Sequence, residues 1–283
     1  MPLHEHEFQF LRDLIYRKAS FVLERSKEAT IEMRLRGLLA EAGLSSIGAL
    51  VRKLREGAID LEQRFVDCMT NHETLFFRDP YFFDALRTDV IPELMAARST
   101  RRRLRIWSSA CSSGQEAYSV AILLHEHFPA LRTWDVRITA SDVSREMVER
   151  TRKGEFSSME VRRGLAPDLR ARYFDNHGDG VVAKRRLRNM IDTRQLNLAE
   201  AWPRFETFDL ILLRNVLIYF DIPTKKKVLG RVRRSLAKDG FLVLGGGEST
   251  FKIDASWNKA QRGRAVLYRP EADGPPSNKA VGA

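Results

Sequence analysis

The stretch from Leu104 to Ser119 constrains the fold of this chain more than any other. Leu104 to Ser108 reads as a short apolar strand. It runs into a loop of small residues, Ser109-Ala110-Cys111-Ser112-Ser113-Gly114, and the loop opens a helix from about Glu116 to His127. Glycine and serine at such a turn let the backbone come close to a ligand, and the first N–H groups of the helix can face it. In an open α/β sheet that place, outside the carboxyl ends of the strands, is where ligands bind. The loop lacks the G-x-G-x-x-G run that cradles a pyrophosphate. An adenosine cofactor without phosphates fits better, and S-adenosylmethionine is the leading candidate.

The rest of the chain divides around this unit. Before it, Phe8, Leu11, Leu14 and Ile15 form one helical stripe. Ile31, Leu35, Leu38, Leu39 and Ala42 form a second stripe ended by Gly43, and Leu50 and Leu54 mark a third helix. Residues 1–75 are therefore expected to be an all-helical domain. Residues 76–103 are expected to connect it onward, with a helix from about Tyr81 to Ala97 interrupted by Pro92. After it, strands at Val136 to Ala140 (running to Asp142), Phe208 to Leu213, Phe241 to Leu244 and Ala265 to Tyr268 alternate with helices. One of those helices carries Val228, Leu229, Val232 and Leu236 and stops at Gly240. The pattern predicts an α/β domain over 104–270 with a mostly parallel, Rossmann-like sheet. Residues 155–193 break the alternation around Gly178-Asp179-Gly180, which predicts a small inserted antiparallel β-subdomain. The Pro/Gly/Ala/Ser-rich residues 271–283 are expected to be a disordered tail.

Composition narrows the partners. No apolar run approaches the roughly 20 residues of a membrane helix. Two cysteines, Cys68 and Cys111, give no disulfide framework, and the scattered histidines have no metal-ligand spacing, so no metal is expected and a reducing cytoplasm is the expected compartment. The net charge of +11 calls for an acidic partner. The basic clusters Arg98 to Arg105, Lys184 to Arg188 and Lys225 to Arg234 have no interleaved aromatics, so nucleic acid is not expected.

Polar residues gather at predicted strand ends. Glu116 follows the first strand's loop, and Asp142 ends the second strand, where it can accept hydrogen bonds from ribose or cap the helix that follows. Asn215 follows the Phe208 to Leu213 strand, and Asn197 precedes Leu198 in a connecting segment. A second constellation, Asn71-His72-Glu73-Thr74-Leu75-Phe76-Phe77-Arg78-Asp79, lies at the domain join. By itself it can be a packing plug with Arg78 paired to an acid, or part of a site; His72 reads as a capping or surface histidine.

These motifs together resemble the CheR-type chemotaxis receptor glutamate methyltransferases, over nearly the whole chain except the tail. Asn71 to Arg78 resembles the family's T-N-E-T-x-F-F-R linker, and Ala110-Cys111-Ser112-Ser113-Gly114-Gln115-Glu116-Ala117-Tyr118-Ser119 its A-C-S-T-G-E-E-P-Y-S loop. Ala140-Ser141-Asp142 matches its ribose-binding strand end. Arg214-Asn215-Val216-Leu217-Ile218-Tyr219-Phe220-Asp221 resembles R-N-V-x-I-Y-F-D, and Leu244-Gly245-Gly246-Gly247-Glu248-Ser249 resembles L-G-x-x-E-S. Asn71 and His72 replace the linker's Thr-Asn start, Gln115 the first of two acids, and Ala117 the usual proline.

The resemblance implies a class I S-adenosylmethionine-dependent methyltransferase that makes glutamate methyl esters on chemoreceptors and releases S-adenosylhomocysteine. It implies Arg78 and Tyr219 at the catalytic centre. Thr74, Arg78, Glu116, Asp142, Asn197, Leu198, Asn215 and Val216 would surround the cofactor. Arg34, Arg36, Arg52, Lys53 and Arg55 are the candidates for meeting acidic receptor helices, and a monomer is expected. Two rival readings stay open: a methyltransferase of RNA or a small molecule, and a regulatory module that binds the cofactor without catalysis.

Overall fold

The computed structural model describes residues 3–271, so all of the expected tail but Glu271 lies outside the described residues. Four helices come first: α1 (Glu5–Ala19), α2 (Glu28–Ala42), α3 (Ile47–Arg55) and α4 (Ile59–Met69). Local chemistry sets their ends. The Glu7 carboxylate accepts the His4 N–H at the start of α1, Gly43 closes α2 in a left-handed conformation, and the Ser46 hydroxyl caps α3 by accepting the Ala49 N–H. Their apolar stripes meet in one core around Leu11, Ile15, Leu35, Leu50, Phe65 and Met69.

Ten strands follow: β1 (Arg103–Ser108), β2 (Asp135–Asp142), β3 (Glu155–Ser157), β4 (Phe174–His177), β5 (Gly180–Ala183), β6 (Ile191–Gln195), β7 (Phe208–Leu213), β8 (Leu236–Leu244), β9 (Trp257–Arg262) and β10 (Ala265–Pro270). Seven of them form one sheet in the order β6-β2-β1-β7-β8-β10-β9. Its first five members are parallel, β10 runs antiparallel to β8, and the edge strand β9, antiparallel to β10, runs in the direction of the first five. The chain order reverses at β1, which has β2 on one side and β7 on the other, and a crevice is expected at that switch point. The strands β3, β5 and β4 make a separate antiparallel sheet.

The structure differs from the sequence expectation in three places. The helix striped by Val228 and Val232 ends at Ser235, and Leu236 opens β8, because Leu236 is buried opposite Phe208 on the neighbouring strand. Ile191–Gln195 pairs with β2 at the sheet edge, so residues 191–193 belong to the main sheet rather than to the insertion. The connecting helix is built of Pro80–Ala85, a π turn over Leu86–Val90 and Ile91–Ala97, with Pro92 in the first turn of the last piece, where its missing N–H is harmless. No helix among the described residues is long and apolar enough to cross a membrane.

Candidate active site

A cavity opens at the switch point, where small-molecule sites of open α/β sheets lie. Its walls come from the loops after β1, β2 and β7, from the linker at Thr70–Arg78, and from Ala19 and Phe21 of the helical domain. Thr74, Arg78, Glu116, Asp142, Asn197, Leu198, Asn215, Val216 and Tyr219 all line it. The structure thus brings these distant residues into one place. Arg34, Arg36, Arg52, Lys53 and Arg55 lie elsewhere, on α2 and α3.

The loop after β1 is shaped by close packing. Ser112 is left-handed, and its N–H donates to Asp142 Oδ2 at 2.8 Å while its hydroxyl donates to the His72 carbonyl at 2.7 Å. Gly114 has φ +97°, and a Cβ there would come within 2.9 Å of Thr151. Only glycine fits this turn.

Asp142 is buried. Its Oδ1 accepts the Ser144 N–H at 3.0 Å, and Ser144 rather than Asp142 caps the next helix by accepting the Met147 N–H. Burial raises the Asp142 pKa above the usual aspartate value, and the charge of His72 and the two backbone donors partly offset this. Each carboxylate oxygen keeps accepting capacity beyond its one backbone partner.

Glu116 is fixed from two sides. Its Oε1 accepts the Ser108 hydroxyl at 2.7 Å, and its Oε2 forms an ion pair with Arg214 Nη1 at 2.8 Å. Arg214, whose side chain is 3% exposed, also donates to Asp79 Oδ2 at 2.6 Å and to the Arg78 carbonyl at 3.0 Å. Its guanidinium sits 4.6 Å from the centre of the Phe82 ring. Arg214 therefore joins the strand loops to the linker. In the sequence Arg214 shows only as part of a motif, yet an arginine directly after the strand Phe208 to Leu213 must find acidic partners when that strand is buried.

The loop after β7 has its own clamp. Glu248 Oε2 accepts the N–H groups of Asn215 (2.7 Å) and Gly245 (2.8 Å), and its Oε1 accepts the Ile218 N–H at 3.2 Å. Asn215 is left-handed, with φ +58°. Glu248 was likewise visible only as part of a motif.

The linker splits into two faces. Phe76 is fully buried and packs edge-on against Phe156 and Phe174 of the small sheet. Arg78 faces the cavity, donates to the Glu73 carbonyl at 3.2 Å and has no ion pair among the described residues. Asp79, the acid next to Arg78 in sequence, is held by Arg214. His72 Nε2 lies 2.8 Å from the Thr70 hydroxyl and 3.0 Å from the Asp67 carbonyl.

Tyr219 spans both domains. Its ring stacks on Phe21 at 4.4 Å, and its hydroxyl accepts the Asn71 side-chain N–H at 2.9 Å. Asn197 does the same from another side, donating to the Lys18 carbonyl at 2.7 Å and accepting the Ala199 N–H at 3.0 Å.

The donor set fits S-adenosylmethionine. Two carboxylates, Asp142 and Glu116, face a space walled by Phe21, Leu198 and Val216, which suits a cationic ligand with a ribose diol and an adenine. A five-stranded parallel sheet with this crevice and an antiparallel edge defines a class I S-adenosylmethionine-dependent methyltransferase. The chain belongs to the CheR methyltransferase family. It matches that family's all-alpha domain over residues 6–70 and its SAM binding domain over residues 72–266. It is 35% identical to chemotaxis protein methyltransferase 1 of Pseudomonas aeruginosa, over 93% of this chain and 97% of that protein. Identity to chemotaxis protein methyltransferase 1 of Vibrio cholerae is also 35%, covering 95% of this chain and 98% of that protein. The protein is a methyltransferase that uses S-adenosylmethionine.

Proposed function

We propose that this enzyme methylates glutamate side chains on the cytoplasmic helices of chemoreceptors, forming methyl esters for sensory adaptation. The observation that supports this best is the meeting of Arg78 and Tyr219 with Asp142 and Glu116 around one cavity. A glutamate with a pKa of about 4.3 is already ionised at neutral pH, so the site needs no general base. What it must supply is alignment, desolvation and placement of charge.

When bound, S-adenosylmethionine supplies an electrophilic methyl on a sulfonium and departs as a neutral thioether once a carboxylate oxygen has taken the methyl. Arg78 spends one N–H on Glu73, and its remaining fork can hold a carboxylate. Tyr219 accepts from Asn71, and its own O–H has no acceptor among the described residues, so it can donate to the substrate oxygen. Asp142 accepts the ribose hydroxyls with the lone pairs its backbone donors leave open. Glu116 offers negative charge to the amino-acid end of the cofactor, while Thr74, Asn197, Leu198, Asn215 and Val216 complete the surround.

Among the five helical-domain candidates, Arg34 caps α4 by donating to the Met69 carbonyl at 2.7 Å, Arg36 pairs with Glu32, and Arg55 covers the Phe10 ring. Arg52 and Lys53 are exposed and have no ion pair among the described residues, so of the five they alone are free of a partner inside the helical domain. The reading is tested by incubating the enzyme with S-adenosylmethionine and a chemoreceptor cytoplasmic fragment, then mapping the peptides by mass. A gain of one methylene on glutamate, lost when that residue becomes glutamine, supports it; methyl groups on other residue types overturn it.

A further inference from the structure

A second, larger depression of about 2,420 Å³ lies beside the cofactor cavity, and Asp79 and Arg214 stand in its wall. Arg214 lines both spaces, and its buried side chain, paired with Asp79 and Glu116, is the wall they share. Its floor is the end of β8 with β9 and β10, and its rim carries Phe251, which is 75% exposed.

The charges in this groove are unequal. Lys226, Lys252, Lys259 and Arg264 line it, all exposed, and none has an ion pair among the described residues. The three acids that line it are already engaged. Asp79 is paired with Arg214, Glu248 accepts three backbone N–H groups, and Asp254 accepts the Ser256 N–H and hydroxyl. Those hydrogen bonds leave the carboxylates charged, but five cationic side chains, Arg214 included, against three carboxylates keep the groove net positive around an exposed aromatic. A cationic cofactor gains nothing from such a surface. An anionic partner with an apolar stripe does.

We infer that this groove is the docking track for the acidic, amphipathic helix that carries the methyl-accepting glutamate. The inference rests on the proposed substrate and adds where that substrate lies. The groove is open along one side, so a helix lying in it keeps one face in solvent. Lys226, Lys252, Lys259 and Arg264 meet its acids, Phe251 meets its apolar stripe, and the helix lies against the Arg214 wall that borders the cavity.

The test compares wild type with the triple variant Lys226→Glu/Lys252→Glu/Lys259→Glu and with Arg52→Glu/Lys53→Glu on α3. The readouts are KM and kcat for a chemoreceptor cytoplasmic fragment and the calorimetric Kd for S-adenosylmethionine. The groove variant is expected to raise KM about tenfold at low salt, with the rise shrinking in high salt and the cofactor Kd unchanged. A triple lysine-to-arginine variant should keep the wild-type KM. A groove variant whose KM equals that of wild type overturns the docking track and leaves the proposed reaction standing. Loss of binding to an RNA oligonucleotide with unchanged fragment kinetics overturns it in favour of nucleic acid. A wild-type enzyme that transfers nothing to the fragment overturns both readings.

Discussion

Arg214 and Glu116, 98 residues apart in sequence, form an ion pair of 2.8 Å that locks the loop after β7 to the helix after β1. Arg214 holds Asp79 in the same grip, so one buried guanidinium ties both sides of the crevice to the linker. Replacing it with methionine leaves two carboxylates facing each other without a cation. Removing one member of a buried ion pair costs about 3–5 kcal/mol. Arg214→Met is expected to lose that much in urea unfolding and to lose most cofactor affinity, and unchanged unfolding would contradict the hub.

Gly245 lets the Glu248 clamp close. A Cβ there would lie 2.7 Å from Asn215 Nδ2 and 2.8 Å from Glu248 Oε2. Gly245→Ala should push Asn215 out of place and weaken S-adenosylmethionine binding about tenfold or more, with far-ultraviolet circular dichroism unchanged. Calorimetry on the purified variant checks it.

The proposed role of Asp142 in holding the ribose makes cofactor binding depend on pH. Burial raises its pKa, with His72 and the Ser144 and Ser112 N–H groups acting in the opposite direction. Protonation removes an acceptor, so affinity should fall as the pH drops through that raised pKa, above the range of an ordinary aspartate. The sign for stability is opposite. The folded protein holds this proton more tightly than the unfolded chain does, so the ionised group destabilises the apo fold, an effect absent at low pH and growing as pH rises through the raised value. Asp142→Ala should weaken binding by about 1.5–3 kcal/mol, the worth of hydrogen bonds to a charged group, and should flatten the pH dependence measured by calorimetry.

Phe76 anchors the small sheet to the linker. Its ring meets Phe156 at 5.0 Å and Phe174 at 5.7 Å, and Gly164 has no Cβ because one would collide with the Phe76 carbonyl. Phe76→Ala removes a fully buried ring and should cost about 3–5 kcal/mol. Limited proteolysis should then cut within 155–188 before the rest of the protein, and an unchanged digestion pattern would contradict the anchoring role.

The parts of this protein that were readable in the sequence are those whose burial leaves a periodic trace. The stripes of α1 and α2, and the apolar run Leu210 to Leu213 of β7, state their elements directly because one side or both sides are packed. The edge strands β6 and β9 were not readable. Ile191-Asp192-Thr193-Arg194-Gln195 and Trp257-Asn258-Lys259-Ala260-Gln261-Arg262 lie largely in solvent, so neither carries an alternating apolar signal. In the site, Asp142 and Asn215 were visible because polar residues at strand ends are placed by topology alone. Arg214 and Glu248 were not assigned, because their work is done across 98 and 33 residues of sequence, on partners that only the folded sheet brings together.

The most direct test of the central claim is transfer of labelled methyl from S-adenosylmethionine to a chemoreceptor cytoplasmic fragment, followed by mild alkali. Wild-type enzyme should give label that leaves as methanol, the mark of a carboxyl ester, and Arg78→Ala should lose that transfer while remaining folded. Label that survives alkali, or that is unchanged in Arg78→Ala, would contradict a site in which Arg78 holds a carboxylate beside the transferring methyl.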